Sequence, residues 1–93
     1  MNKTNTEAAP VALVTGAGVG IGFEIVFLLA SRGYKVMLND LDEATAIKAC
    51  EKINDSFPQS CHGISGDVSD THFIEKMVRQ TVATFGAIDV AVA

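Results

Sequence analysis

Apolar residues are distributed along this chain in two alternating patterns. Val11-Ala12-Leu13-Val14, leading to Thr15, is a continuous apolar run, the signature of a strand buried on both faces of a parallel sheet. Tyr34 to Leu38, ending in Asn39-Asp40, reads as a second strand, a short third lies near Cys61 to Ser65, and Ile88 to Ala93 starts a fourth apolar strand. Between these runs the apolar positions recur at helical spacing. Ile21, Ile25, Leu28 and Leu29 predict a first helix closed by a left-handed Gly33. Asp42 to about Asn54 predicts a second, with Ala46, Ile47, Cys50 and Ile53 as its apolar side and Pro58 breaking it. A third begins with Ser69 or Asp70 as N-cap, carries Phe73, Ile74, Met77, Val78 and Val82 on one side, and ends at Gly86. The order β-α-β-α-β-α-β predicts an α/β fold, a Rossmann-type parallel sheet between two helical layers. Right-handed crossovers put the first two helices on one face and the third on the other, with strand order 3-2-1-4.

Residues 1–10 read as a polar, flexible leader and residues 11–93 as one half-domain. The fourth strand stops at Val90-Ala91-Val92-Ala93 without turn, cap or polar terminus, so the expectation is an incomplete fold, a fragment or truncated copy of a longer protein.

Composition narrows the function classes. With 93 residues, 48% of them hydrophobic, the chain can build one core. A net charge of −4 argues against nucleic acid, which requires a basic stripe. No apolar run is long enough for a membrane span or signal peptide, and a cytoplasmic location is expected. Cys50 and Cys61 form no disulfide framework or C-x-x-C motif and read as two reduced thiols. His62 and His72 lack a third ligand at workable spacing, so no metal site is expected.

The chemistry concentrates in Thr15-Gly16-Ala17-Gly18-Val19-Gly20-Ile21-Gly22, between the first strand and the first helix. The first N–H groups of a helix lack intrahelical partners and sit at the positive end of its dipole, and glycines let a phosphate approach them. The spacing is not G-x-G-x-x-G, because Ile21 and Phe23 occupy the positions where its last glycine would fall. It is not a P-loop either, since no Lys-Ser or Lys-Thr follows. Asp40 ends the second strand 24 residues after Gly16, where a dinucleotide fold places the carboxylate that reads the ribose. Such a carboxylate accepts from the adenosine hydroxyls and repels a 2′-phosphate, and Val19, Asn39 and Leu41 around it are uncharged. NAD is therefore expected over NADP.

The T-G-x-x-x-G-x-G spacing resembles the glycine motif of the short-chain dehydrogenase/reductase family, and the resemblance extends over Val11 to Ala93. It implies that Thr15 steadies the glycine turn, that Gly16, Gly18, Gly20 and Gly22 cradle the pyrophosphate, and that Ile21 lies beside the pyrophosphate and nicotinamide. Leu41 joins Asp40 in the cofactor set. Asp67-Val68 is similar to the family's pair that lines the adenine pocket, the acid facing the amino group and the next residue packing on the ring. Asp89, at the entry to the fourth strand, is read as structural. The family's Asn-Ala-Gly segment, catalytic Ser and Tyr-x-x-x-Lys pair find no counterpart: the only tyrosine, Tyr34, is followed four residues later by Leu38. No catalytic residue is assigned, and this chain alone is expected to be inactive. The complete enzyme implied would move a hydride between nicotinamide and an alcohol or carbonyl substrate as a homo-oligomer, without nucleic acid or membrane. Two rivals stand beside it: a truncated NAD(H)-binding protein without catalysis, and an S-adenosylmethionine-dependent methyltransferase, which also pairs a glycine turn with an acid.

Overall fold

The computed structural model describes residues 8–93; most of the leader expected over 1–10 lies outside the described residues. The elements are β1 (Val11–Val14), α1 (Gly20–Ser31), β2 (Lys35–Asp40), α2 (Glu43–Ser56), β3 (Cys61–Ser65), α3 (Thr71–Phe85) and β4 (Val90–Val92). All four strands are parallel in the order β3-β2-β1-β4, as the alternation of patterns predicts.

Side chains of successive strand residues point to opposite faces, and this splits the core in two. Ala12, Val14, Val36, Leu38 and Cys61 face α1 and α2, meeting Val26, Ala30, Ala46, Ala49 and Ile53. Leu13, Met37 and Ile64 face α3 through Met77, with Phe73, Phe85 and Ile88 packed around them. Asp89 fastens β1 to β4: its carboxylate accepts from the Val11 N–H at 2.8 Å while its own N–H donates to the Val11 carbonyl.

Helix ends follow the sequence. Asp42 caps α2 by accepting from the Thr45 N–H, and Asp70 caps α3 by accepting from the His72 N–H. Gly33, at φ +92°, closes α1: its N–H donates to Ala30 and that of Tyr34 to Leu29, the two bonds of a Schellman motif.

Helix faces depart from expectation. In α1, Val26 and Ala30 are buried, Phe23, Ile25 and Leu29 pack against the same core, and Ile21 (81% exposed) and Leu28 (50%) point outward. Only Glu24 and Ser31 carry polar groups on this helix, so periodicity could not select a face. The line Gly22, Val26, Ala30 faces the sheet because Gly22 lets the helix close on the preceding turn. A Cβ there would lie 2.7 Å from the Gly16 carbonyl oxygen. In α2, Ala49 replaces Ile47 in the core, and Ile47 is 52% exposed. In α3 the buried pair is Met77 and Thr81, while Ile74, Val78 and Val82 lie at the surface. Thr81 enters the core because its hydroxyl donates to the Met77 carbonyl at 2.7 Å, leaving no unpaired polar atom.

Candidate functional site

Three loops leave the carboxyl ends of β1, β2 and β3 at one edge of the sheet. The order in which strands are added reverses between β1 and β4, the topological switch point at which open parallel sheets bind ligands. The first loop, Thr15 to Val19, carries the glycine turn. Thr15 anchors it to β4, its N–H donating to the Val92 carbonyl at 3.0 Å and its hydroxyl reaching the same oxygen at 3.5 Å.

The glycines serve two purposes. Gly16 (φ +61°) and Gly20 (φ +66°) take left-handed backbone conformations, with open space where a side chain would stand. Gly18 and Gly22 are required instead by close approach: a Cβ on Gly18 would overlap the Thr45 methyl and the Asp40 carboxylate, and one on Gly22 the turn itself.

Asn39, the penultimate residue of β2, organises the turn. It is 2% exposed. Its Oδ1 accepts from the Gly16 N–H at 3.2 Å, and its Nδ2 donates to the carbonyls of Ile64 (3.1 Å) and Gly66 (3.2 Å). Its backbone carbonyl accepts from the Ala17 N–H at 2.7 Å. One residue thus joins the ends of β1, β2 and β3. No local pattern singles out this role, because an Asn at a strand end reads equally well as the start of a turn.

Asp40 is brought to the glycine turn as its spacing predicts. Its Oδ1 accepts from the Gly18 N–H at 3.1 Å and its Oδ2 from the Asp42 N–H at 3.0 Å. A carboxylate offers about four acceptor directions, so both oxygens keep capacity toward solvent. Leu41 follows it at the surface. The end of β3 is tied alongside, the Gly66 N–H donating to the Asp40 carbonyl. Beyond it, the exposed Asp67 carboxylate accepts from the Ser69 N–H (2.9 Å) and hydroxyl (2.8 Å), which hold its carboxyl below the usual aspartate range. Val19, Ile21, Leu41 and Val68 are all exposed apolar side chains at this edge.

The N-terminus of α1 differs from the other two. Its N-cap residue is Val19, with no side-chain cap and no acidic residue in the first turn, whereas α2 and α3 each have an aspartate cap. The orphan N–H groups and the positive end of the α1 dipole therefore face the crevice uncompensated by protein carboxylate at the cap.

A cleft of about 430 Å³ between α1 and α2 opens beside the turn, lined by Gly18, Val19, Gly20, Phe23, Thr45, Lys48 and Lys52 among others. Lys48 and Val19 line the same cleft. No chain neighbour of Asp40 signals that cation. Among the described residues no three His, Cys, Asp or Glu side chains converge as a metal site would require. Tyr34 stands just before β2, at the far end of that strand from Asp40, and packs against the core.

Comparison with known proteins agrees with this fold. The family model for short chain dehydrogenase matches residues 10–93. Over 94 residues the chain is 42% identical to a short-chain dehydrogenase/reductase of Armillaria gallica, covering 99% of this chain and 36% of that protein. It superimposes on an actinorhodin polyketide ketoreductase solved with NADPH, with TM-score 0.85, 31% identity, and coverage of 89% of this chain and 31% of that one. For a 3-ketoacyl-(acyl-carrier-protein) reductase from Brucella melitensis complexed with NADH, the TM-score is 0.82 at 30% identity, with coverage of 90% and 33%. The chain spans about a third of the length of the curated relatives it matches.

Proposed function

The chain belongs to the short-chain dehydrogenase family, and on that premise we propose that it forms the cofactor-binding portion of an NAD(H)-dependent oxidoreductase. The whole protein would act on an alcohol or carbonyl substrate, as a cytoplasmic homo-oligomer. The observation that carries the proposal is the pairing of an uncapped α1 N-terminus with a carboxylate, Asp40, held 3.1 Å from the Gly18 N–H. The first feature suits a pyrophosphate and the second a ribose diol.

The residues fit a dinucleotide on their own geometry. Thr15, Gly16, Gly18, Gly20, Ile21 and Gly22 surround the pyrophosphate, and a Cβ at Gly18 or Gly22 would collide with the turn or its supports. Asp40 accepts from the ribose hydroxyls with its free acceptor capacity, and Leu41 flanks it. Asp67 and Val68 hold the adenine. When bound, the cofactor supplies or accepts the hydride, and the residues here bind and orient it. No proton transfer is assigned to them, since Tyr34 lies at the opposite end of β2. A binding-only role for this chain is the second reading, favoured by that same placement.

NAD over NADP follows from the Asp40 carboxylate, which a 2′-phosphate would approach at the cost of like-charge repulsion. Lys48 and Lys52 in the adjoining cleft pull the other way, but Glu24 lines the same cleft and the Asp40 carboxylate is the group standing at the glycine turn. Fluorescence titration with NADH and NADPH tests this. NADH binds more tightly, and Asp40→Asn weakens NADH by about 10- to 100-fold, the worth of a hydrogen bond to a charged group. Equal affinity for the two cofactors overturns the preference, and failure of both to bind overturns the proposal.

A further inference from the structure

Cys50 on α2 and Cys61 on β3 are free thiols whose sulfurs lie 3.1 Å apart. They stand eleven positions apart in a chain that passes through helix, turn and strand, so their contact is a product of the fold. Three features hold it. Asn54, one turn beyond Cys50 on α2, clamps the Cys61 backbone: its Nδ2 donates to the Cys61 carbonyl and its Oδ1 accepts from the Cys61 N–H, both at 2.9 Å. The same Oδ1 accepts from the Ser60 N–H at 3.0 Å, fixing the approach to the strand. Gly63, two residues along the same face of β3, has no side chain to crowd the Cys50 sulfur; a Cβ there would stand 3.1 Å from it.

We propose that Cys50 and Cys61 are a redox-active dithiol that hydroperoxides oxidise to an intramolecular disulfide bridging α2 and β3. A disulfide needs its sulfurs at about 2.05 Å, roughly 1 Å closer than they stand, a movement within reach of side-chain torsions. Cys50 is half-buried and Cys61 buried, so an oxidant meets Cys50 first. A hydrogen bond from Cys61 lowers the Cys50 thiol pKa, while donating that bond and burial push the Cys61 thiol up. Cys50 is thus the attacking thiolate and Cys61 the resolving thiol. In the first step the Cys50 sulfur attacks one peroxide oxygen; an S–O bond forms, the O–O bond breaks, and hydroxide leaves. In the second, Cys61 surrenders its proton and attacks the Cys50 sulfur, forming S–S and expelling a second hydroxide. The two thiols lose two electrons and two protons, and hydrogen peroxide is reduced to two waters.

Intact-mass measurement of the full chain after stoichiometric hydrogen peroxide, followed by alkylation in denaturant, tests the pair. The expected product weighs about 2 Da less than the reduced chain and takes up no alkylating group. Dithiothreitol returns it to a species carrying two. Cys50→Ser and Cys61→Ser each abolish the lighter species. Oxygen adducts of about 16 or 32 Da with the second thiol still alkylatable, disulfide-linked dimers, or no reaction at all would each overturn the proposal.

Discussion

Asn39 Oδ1 accepts a hydrogen bond from the Gly16 N–H at 3.2 Å, across 23 residues of chain. The same side chain donates to Ile64 and Gly66, so the shape of the glycine turn is set by β2 and β3 as much as by its own glycines. Asn39→Ala leaves one half-buried donor and two carbonyls, that of Ile64 buried, short of a partner. Each such group costs about 1–3 kcal/mol, so the variant should lose about 2–4 kcal/mol after partial relaxation, measured by urea unfolding. Asn39→Asp keeps the acceptor for Gly16 but turns a second carboxylate oxygen toward two carbonyls. Its folded-state pKa is then raised, so the folded state binds more protons and stability falls as pH rises through it. Urea midpoints of this variant that are flat or rise with pH would contradict the assigned geometry.

Gly22→Ala and Gly16→Ala separate space from conformation. At Gly22 the added methyl meets the Gly16 carbonyl oxygen at 2.7 Å and Ala17 Cα at 2.9 Å, so α1 must move. A loss of about 1–3 kcal/mol is expected, together with weakened NADH binding. At Gly16 nothing lies within 4 Å and only the φ of +61° resists, so the loss is about 1 kcal/mol. Paired thermal or urea melts decide the order.

Among the described residues, Ser60 Oγ is the one buried side-chain polar atom without a hydrogen-bond partner. Ser60→Ala removes that desolvation cost and leaves its backbone bonds to Asn54 and Val36 in place. Stability should rise by about 1 kcal/mol. A fall of similar size would mean that the hydroxyl is satisfied in solution.

Asp42 titrates as a folded-state acid. Its hydrogen bonds from the Thr45 hydroxyl and N–H hold its carboxyl below the ordinary aspartate value. The stabilisation is present above the unfolded-state pKa and is lost as pH falls through the depressed folded one. Asp42→Asn keeps an acceptor at the cap without the charge. Its urea midpoint should therefore fall less than that of the parent between about pH 6 and about pH 3. Parallel pH profiles would remove the cap from the account.

The first strand was legible because a strand buried on both faces is apolar throughout, the other three because they punctuate the helical patterns, and the element order then dictated sheet order and helix placement. The helix faces were less so. Apolar residues surround α1, so the buried line Gly22, Val26, Ala30 emerges only once Gly22 meets the turn. The glycine turn and Asp40 could be found from spacing, since each is a local device. Asn39, the Cys50–Cys61 contact and Lys48 in the cleft depend on which segments meet across the sheet, and no local pattern encodes that.

The bonds between Val11 and Asp89 join residues 78 positions apart, and they close the central strand of the sheet. On the ribosome β1 can gain β2 as a neighbour early, but its other edge must wait until Asp89 to Val92 emerge. The glycine turn waits with it, because Thr15 is anchored on Val92. For the interval of translation between β2 and β4, a few seconds at about 5–20 residues per second, the nascent chain carries an unpaired apolar edge and an unfastened site. Chaperone dependence should peak in that window and fall once β4 docks.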